Sequence, residues 1–229
     1  MKNQENLLAG LIAGTSVDTA LGSNFLQKQG WEVESFAISR SAQEQNNLQQ
    51  NYAEKLQSVC LQEMIRMQAM GVKFILIYCS SLSSVLNINS FHEILKIPIY
   101  TPLNYYSTIA NNYKQFGVIA ANAIGLNGFE RLISKENERA EIVGMHNINI
   151  VREIERGKDP KEIVDNNVLF KFIQRTEKQN CECIVLACTH FTYIKSALVV
   201  LTQLPVLDID SGLLSLIKSK NAFYSKPGT

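Results

Sequence analysis

Short apolar runs alternate along the chain with longer stretches in which apolar residues return every three or four positions. The first pattern is that of buried strands and the second that of helices with one inward face. Read in order, the pattern predicts a strand over 7–13, broken by Gly14-Thr15, and a helix over 18–29 stopped by Gly30. A second strand follows over 31–38. One long helix is expected over 43–70, with Leu48, Tyr52, Leu56, Val59, Met64, Met67 and Met70 as its inner face and Gly71 as its end. A third strand over 72–78 runs into Cys79-Ser80-Ser81 and a short helix, and 97–100 is a brief strand closed by Thr101-Pro102. The second half is expected to hold helix 103–113, strand 116–120, helix 122–135, strand 140–145 and a short helix 151–156 stopped by Gly157. A longer helix 160–179, strand 183–187, helix 191–202, strand 206–209 and helix 212–220 complete it, and the tail 224–229 is expected to fray.

Strands alternating with helices predict parallel sheets in an α/β fold. The two halves also repeat each other. Gly10-Leu11-Ile12-Ala13 matches Gly117-Val118-Ile119-Ala120, and Cys79 lies 69 residues after Gly10 (79 − 10) where Cys188 lies 71 after Gly117 (188 − 117). Two pseudo-symmetric lobes are therefore expected, each a parallel sheet flanked by helices, with the active site in the cleft between them. Residues 1–100 and 205–229 are assigned to the first lobe and 101–204 to the second.

Composition narrows the chemistry more than the fold. The chain has 229 residues, 46% hydrophobic and 19% charged, in the range of an ordinary globular protein. A formal net charge of +1 gives no electrostatic case for a nucleic-acid or anionic-membrane partner. No apolar stretch approaches the roughly 20 residues of a membrane span. Met1 to Asn6 lead straight into the first strand without a signal-peptide core. Five cysteines are an odd number, too sparse for a disulfide scaffold, so a cytoplasmic protein with reduced thiols is expected.

Two of those cysteines stand apart. Ile75-Leu76-Ile77-Tyr78-Cys79 and Ile184-Val185-Leu186-Ala187-Cys188 each read as a buried strand delivering a thiol at its carboxyl end, where α/β folds place their chemistry. A thiol between such a strand and a following helix lies near amide groups and a positive dipole end, which lowers its pKa below about 8.5. Two such thiols on opposite walls of a cleft could reach one carbon from both faces. One thiolate removes a proton and the other thiol supplies one, inverting a stereocentre without a cofactor. The enolate-like charge then needs aimed donors in a water-poor site. Cys60, within a helix, and Cys181 with Cys183, at a strand start, are expected to be buried structural residues. Cys181-Glu182-Cys183 lacks the two-residue gap of a zinc or redox pair, so no metal site is expected, and no dinucleotide or P-loop fingerprint is present.

Cys188-Thr189-His190, after Val185-Leu186-Ala187, resembles the second signature of the cofactor-independent aspartate/glutamate racemase superfamily. Cys79-Ser80-Ser81 resembles its first, usually Cys-Asn-Thr, and Gly10 to Thr15 sit where that family carries a substrate-carboxylate loop. The resemblance covers the whole chain in order and length. It implies Cys79 and Cys188 as the two acid/base thiols, with His190 assisting Cys188. Ser80, Ser81 and Thr189 would bind the substrate α-carboxylate with backbone amides. Gly14 and Thr15 belong to the first loop, and Ala13-Gly14 stand where glutamate racemases usually have Asp-Ser, which is closer to the aspartate-racemase-like branches. Asp18 reads two ways, as a ligand for the substrate ammonium or as a helix cap. Asn122 stands near the family's substrate threonines. His146 reads as a cleft or a surface residue, Arg152 as a carboxylate partner or a solvent-facing residue, and His92 has no supporting cluster.

The implied reaction is inversion of the α-carbon of aspartate or glutamate by an isomerase without cofactor or metal, its partner a small acidic amino acid and its assembly a homodimer. Hydantoin racemases and maleate isomerases resemble the same scaffold and remain alternatives, as does a diverged binding protein without turnover.

Overall fold

All eight apolar runs expected to be strands are strands in the computed structural model, which describes residues 7–165 and 167–220. The tail expected to fray lies outside them. The chain divides into two units. The first comprises residues up to 79, 86–101 and those from 213 on, and the second 80–85 and 102–212.

The first unit opens with β1 (Leu8–Ala13), α1 (Ser16–Gln27) and β2 (Glu32–Ala37), then α2 (Ala42–Asn51), α3 (Ala53–Ala69) and β3 (Ile75–Tyr78). After α4 (Ser80–Val85), which belongs to the second unit, come α5 (Ile88–Ile94) and β4 (Ile99–Tyr100). The sheet is parallel, in the order β2-β1-β3-β4. The second unit follows with α6 (Pro102–Ile109), β5 (Gln115–Ala120), α7 (Ala123–Glu136), β6 (Glu141–His146), α8 (Ile148–Glu155), α9 (Pro160–Val164), α10 (Asn167–Lys178) and β7 (Cys183–Ala187). A 3-10 helix over Thr189–Ile194, α11 (Lys195–Leu198), β8 (Val206–Asp208) and α12 (Ile209–Lys220) complete the chain. Its sheet runs β6-β5-β7-β8, the same order, again parallel.

Burial explains which strands read as unbroken apolar runs. The inner strands β1, β3, β5 and β7 are buried along almost their whole length, as parallel strands covered on both faces must be, whereas β2 and β6 are partly exposed edges. The repeat extends to register. Gly10 pairs with Ile75, four residues before Cys79, and Gly117 with Ile184, four before Cys188. Both glycines let a helix close on the sheet: a Cβ on Gly10 would lie 2.9 Å from Met67 of α3, and one on Gly117 2.7 Å from Thr176 of α10.

Three expected helices are corrected. The single helix over 43–70 is two, parted at Tyr52, whose φ of −137° and ψ of 38° are not helical. Tyr52 and Met70 are exposed, and the true inner face of α3 is Leu56, Cys60, Met64 and Met67. The buried residues of α2 are instead Gln45 and Gln49. An amide stripe cannot share an apolar core with α3, and the break lets the two helices cover different ground. The helix over 160–179 is also two. Buried Ile163 and Val164 are adjacent in α9, while Leu169, Phe172, Ile173 and Thr176 recur at helical spacing in α10. Finally, 191–202 is not one α-helix. Phe191 and Ile194, both fully buried, are three residues apart, the repeat of a 3-10 helix, and the β-branched and aromatic residues around them are poor α-formers.

The segment after β7 is tied down by an ion pair. Lys195 at the start of α11 donates to Asp208 at the end of β8, and Ser211 donates to the same carboxylate through its backbone N–H at 2.9 Å and its hydroxyl at 2.8 Å. Burial pushes the Asp208 carboxyl up, but these hydrogen bonds and the Lys195 charge outweigh it and hold the group below its ordinary 3.8. A carboxyl depressed on folding adds stability that is present above its unfolded pKa and lost as pH falls through the folded one. Asp208→Asn is therefore expected to destabilise the protein by about 1–3 kcal/mol at pH 7 in urea unfolding. The difference from wild type should shrink as pH is lowered below 3.8 toward the depressed folded value; an undiminished difference there would contradict the assignment.

Candidate active site

In each sheet the chain runs from an inner strand outward to one edge and returns on the other side, so the carboxyl ends of the two inner strands flank a topological switch point, where α/β folds bind ligands. In the first unit Ala13 pairs with Tyr78, which puts Gly14 and Cys79 side by side just beyond. In the second, Ala120 pairs with Ala187, followed by Ala121 and Cys188.

The loop after β1 is braced from within. Thr15 caps α1, its hydroxyl accepting from the Asp18 N–H at 3.2 Å, and the Asp18 carboxylate reaches back to accept from the Gly14 N–H at 3.2 Å. Asp18 is only 1% exposed. Thr15, not Asp18, is therefore the helix cap, and the Asp18 carboxylate braces the loop before it. The Ser39 hydroxyl donates to the Gly14 carbonyl at 2.7 Å, joining the end of β2 to the same loop. Cys79 is buried, and Gln45 of α2 donates from Nε2 to its sulfur at 3.0 Å.

Ser80 and Ser81 follow as the buried first turn of α4 in the second unit, where the Ser80 hydroxyl is hydrogen-bonded to that of Tyr106 at 2.9 Å. Cys188 is extended and buried, and Thr189 and His190 open the 3-10 helix, also buried. His190 Nδ1 lies 3.9 Å from the Cys188 sulfur, and its Nε2 lies 3.4 Å from a carboxylate oxygen of Glu155 at the end of α8. The Glu155 carboxylate is thus a close anionic neighbour of the imidazole, and Glu155, His190 and Cys188 lie in a line. Asn122 caps α7, its side-chain oxygen accepting from the Gly125 N–H at 2.9 Å.

His146 is exposed at the end of β6, and Arg152 is exposed on α8, donating to Asn149 at 2.9 Å. Among the described residues no three His, Cys, Asp or Glu side chains are placed to hold a metal ion, and no helix is long and apolar enough to cross a membrane. Gln45 and Glu155 escaped the sequence reading. Glu155 ends a short helix and is 35 residues from His190 (190 − 155), so only folding pairs them. Gln45 had one faint signal: α2 holds a single large apolar residue, Leu48, too few for a helix that covers a core.

The remaining cysteines are of another kind. Burial, then Glu63, pushes the Cys60 thiol up to about 12, and burial with Cys181 and Glu182 does the same for Cys183. Burial raises Cys181 as well. These are structural thiols.

The fold is that of two-lobed racemases. The chain is similar to glutamate racemase from Francisella tularensis in complex with D-glutamate (20% identity, TM-score 0.70, covering 97% of this chain and 85% of that one). It is also similar to an aspartate racemase homologue from Pyrococcus horikoshii (14%, 0.66, 94% and 99%) and to allantoin racemase from Klebsiella pneumoniae (14%, 0.68, 94% and 88%). At such identities these likenesses carry the fold alone. No curated protein matches the sequence. The Asp/Glu/Hydantoin racemase family matches residues 25–211, most of the chain, and the protein belongs to that family. Its class is therefore isomerase.

With Cys60 and Cys183 held as thiols, iodoacetamide at neutral pH is expected to modify Cys79 and Cys188 roughly tenfold faster or more, read by peptide mass spectrometry. Equal labelling of all five cysteines in the folded protein would remove the distinction.

Proposed function

We propose that the protein is a cofactor-independent amino-acid racemase that inverts the α-carbon of aspartate or glutamate in the cytoplasm, with Cys79 and Cys188 as its two acid/base groups. One thiolate takes the α-proton, and the other thiol returns one to the opposite face of the planar carbanion. Gly14, Thr15, Ser80, Ser81, Asn122 and Thr189, each just beyond a strand end in sequence, are assigned the substrate contacts through backbone and side-chain donors, and Asp18 holds the first loop in shape. The observation that carries this reading is the placement of one buried thiol at the switch point of each of two equivalent sheets, each with a hydrogen-bonding side chain at its sulfur.

A second reading is favoured by the polar residues themselves. Among the described residues none of the buried polar side chains is a Lys or Arg, so a second substrate carboxylate would rest on His190 and neutral donors. A neutral ring such as a hydantoin fits that environment, in line with the family's breadth and with the allantoin racemase it resembles.

Incubation in deuterated buffer with aspartate, glutamate, asparagine, hydantoin and allantoin separates the readings. Uptake of deuterium at the stereocentre of aspartate or glutamate is expected. Uptake only with the ring compounds would move the protein to the second reading, and none with any of them would end the racemase proposal. Cys79→Ser and Cys188→Ser should each lower racemisation by about 10²-fold or more, and Glu155→Gln should lower it less, since it acts through His190. Full activity in either serine variant would show that its thiol is not a base.

A further inference from the structure

We infer that Gln45 is the positioning residue for the Cys79 thiolate, and that Gly14 lacks a side chain to make room for it. Local structure fixes where Gln45 starts. Ser41 caps α2, its hydroxyl accepting from the Glu44 N–H at 3.2 Å, while the Glu44 carboxylate accepts from the Arg40 N–H at 2.8 Å. This reciprocal cap pins the first turn of α2 just after β2, and Gln45 is the next residue. Its side chain is buried and lies flat over Gly14: a Cβ there would be 2.3 Å from its Oε1 and 2.4 Å from its Nε2. From that position Nε2 reaches the Cys79 sulfur at 3.0 Å.

The rest of α2 fits a polar site better than a core. Gln49, one turn on and 3% exposed, has no hydrogen-bond partner for either side-chain atom among the described residues. A helix whose buried stripe is two amides gains little from apolar burial. An amide N–H aimed at sulfur favours the thiolate over the thiol and holds the lone pairs in one direction. Unlike an imidazole it cannot take the proton itself. Gln45 thus keeps Cys79 charged and oriented without competing for the substrate proton.

The inference rests on Cys79 as a reactive thiol of the proposed reaction, but alkylation reads the sulfur whether or not substrate turns over, so the two can fail separately. In the full-length protein, the pH profile of iodoacetamide labelling would be followed at Cys79 and Cys188 by peptide mass spectrometry. The midpoint, rather than the rate, is compared, because truncation also changes access. Gln45→Leu is expected to raise the Cys79 midpoint by about one pH unit, and Gln45→Glu to raise it further, since a carboxylate then faces the sulfur. Cys188 should keep its profile in both. Gly14→Ala tests the same contact from the other side, because the flexible amide can swing away from the new methyl and the fold is kept; it should raise the Cys79 midpoint alone. An unchanged Cys79 midpoint in Gln45→Leu or Gly14→Ala, or an equal shift at both thiols, would overturn the assignment.

Discussion

Everything at the two strand-end clusters depends on the parallel pairing of the inner strands, β1 with β3 and β5 with β7. Parallel pairing requires each strand to return through a crossover, and here the crossovers leave toward opposite edges, so a switch point opens beyond the paired carboxyl ends. Register then decides which residues stand there. Because Ala13 faces Tyr78 and Ala120 faces Ala187, the next residues are Gly14 with Cys79 and Ala121 with Cys188. A slip of one residue would turn each of these side chains to the other face of the sheet. The continuous burial of the inner strands resists such a slip, and the close approach of Met67 at Gly10 and of Thr176 at Gly117 locks helix to strand at the matching place in each unit.

The two thiols share that framework and differ in company. Cys188 has His190 Nδ1 at 3.9 Å, and Glu155 lies 3.4 Å from the other nitrogen of that ring. Cys79 has the Gln45 amide, which donates and cannot accept a proton from sulfur at that nitrogen. Equivalent backbone positions therefore carry unequal chemistry. At Cys60 and Cys183, burial, with Glu63 near the first and Cys181 and Glu182 near the second, drives the thiol up to about 12.

How much of this the sequence disclosed follows from which interactions are local. The inner strands were legible because parallel strands buried on both faces must be apolar at successive positions. The internal repeat was legible because Gly10 to Ala13 and Gly117 to Ala120 occupy the same register position in their sheets. The thiols and His190 were visible because each follows its strand directly. The break at Tyr52 was hidden because Gln45, Gln49, Leu56 and Cys60 lie on one stripe of an ideal helix, and periodicity cannot tell an amide stripe over a strand end from an apolar stripe over a sheet. The 3-10 turn after Cys188 was hidden because a repeat of three and a repeat of 3.6 coincide over so short a span. Gln45 and Glu155 were hidden because their partners are distant in sequence: Gln45 is 34 residues from Cys79, and Glu155 meets His190 only across a folded crossover.

The unequal thiols also bear on the proposed reaction itself. A two-base racemase must hold one thiol charged and the other protonated when substrate arrives, and must reverse the two states after each turnover. On the roles proposed above, an amide that favours the thiolate at Cys79 and an imidazole beside Cys188 make the two resting states unequal in energy. On those roles, the form with Cys79 charged is the one that the Gln45 amide favours. The asymmetry cannot shift the equilibrium between enantiomers, which belongs to the substrate alone, but it sets which direction begins from the more populated form of the enzyme.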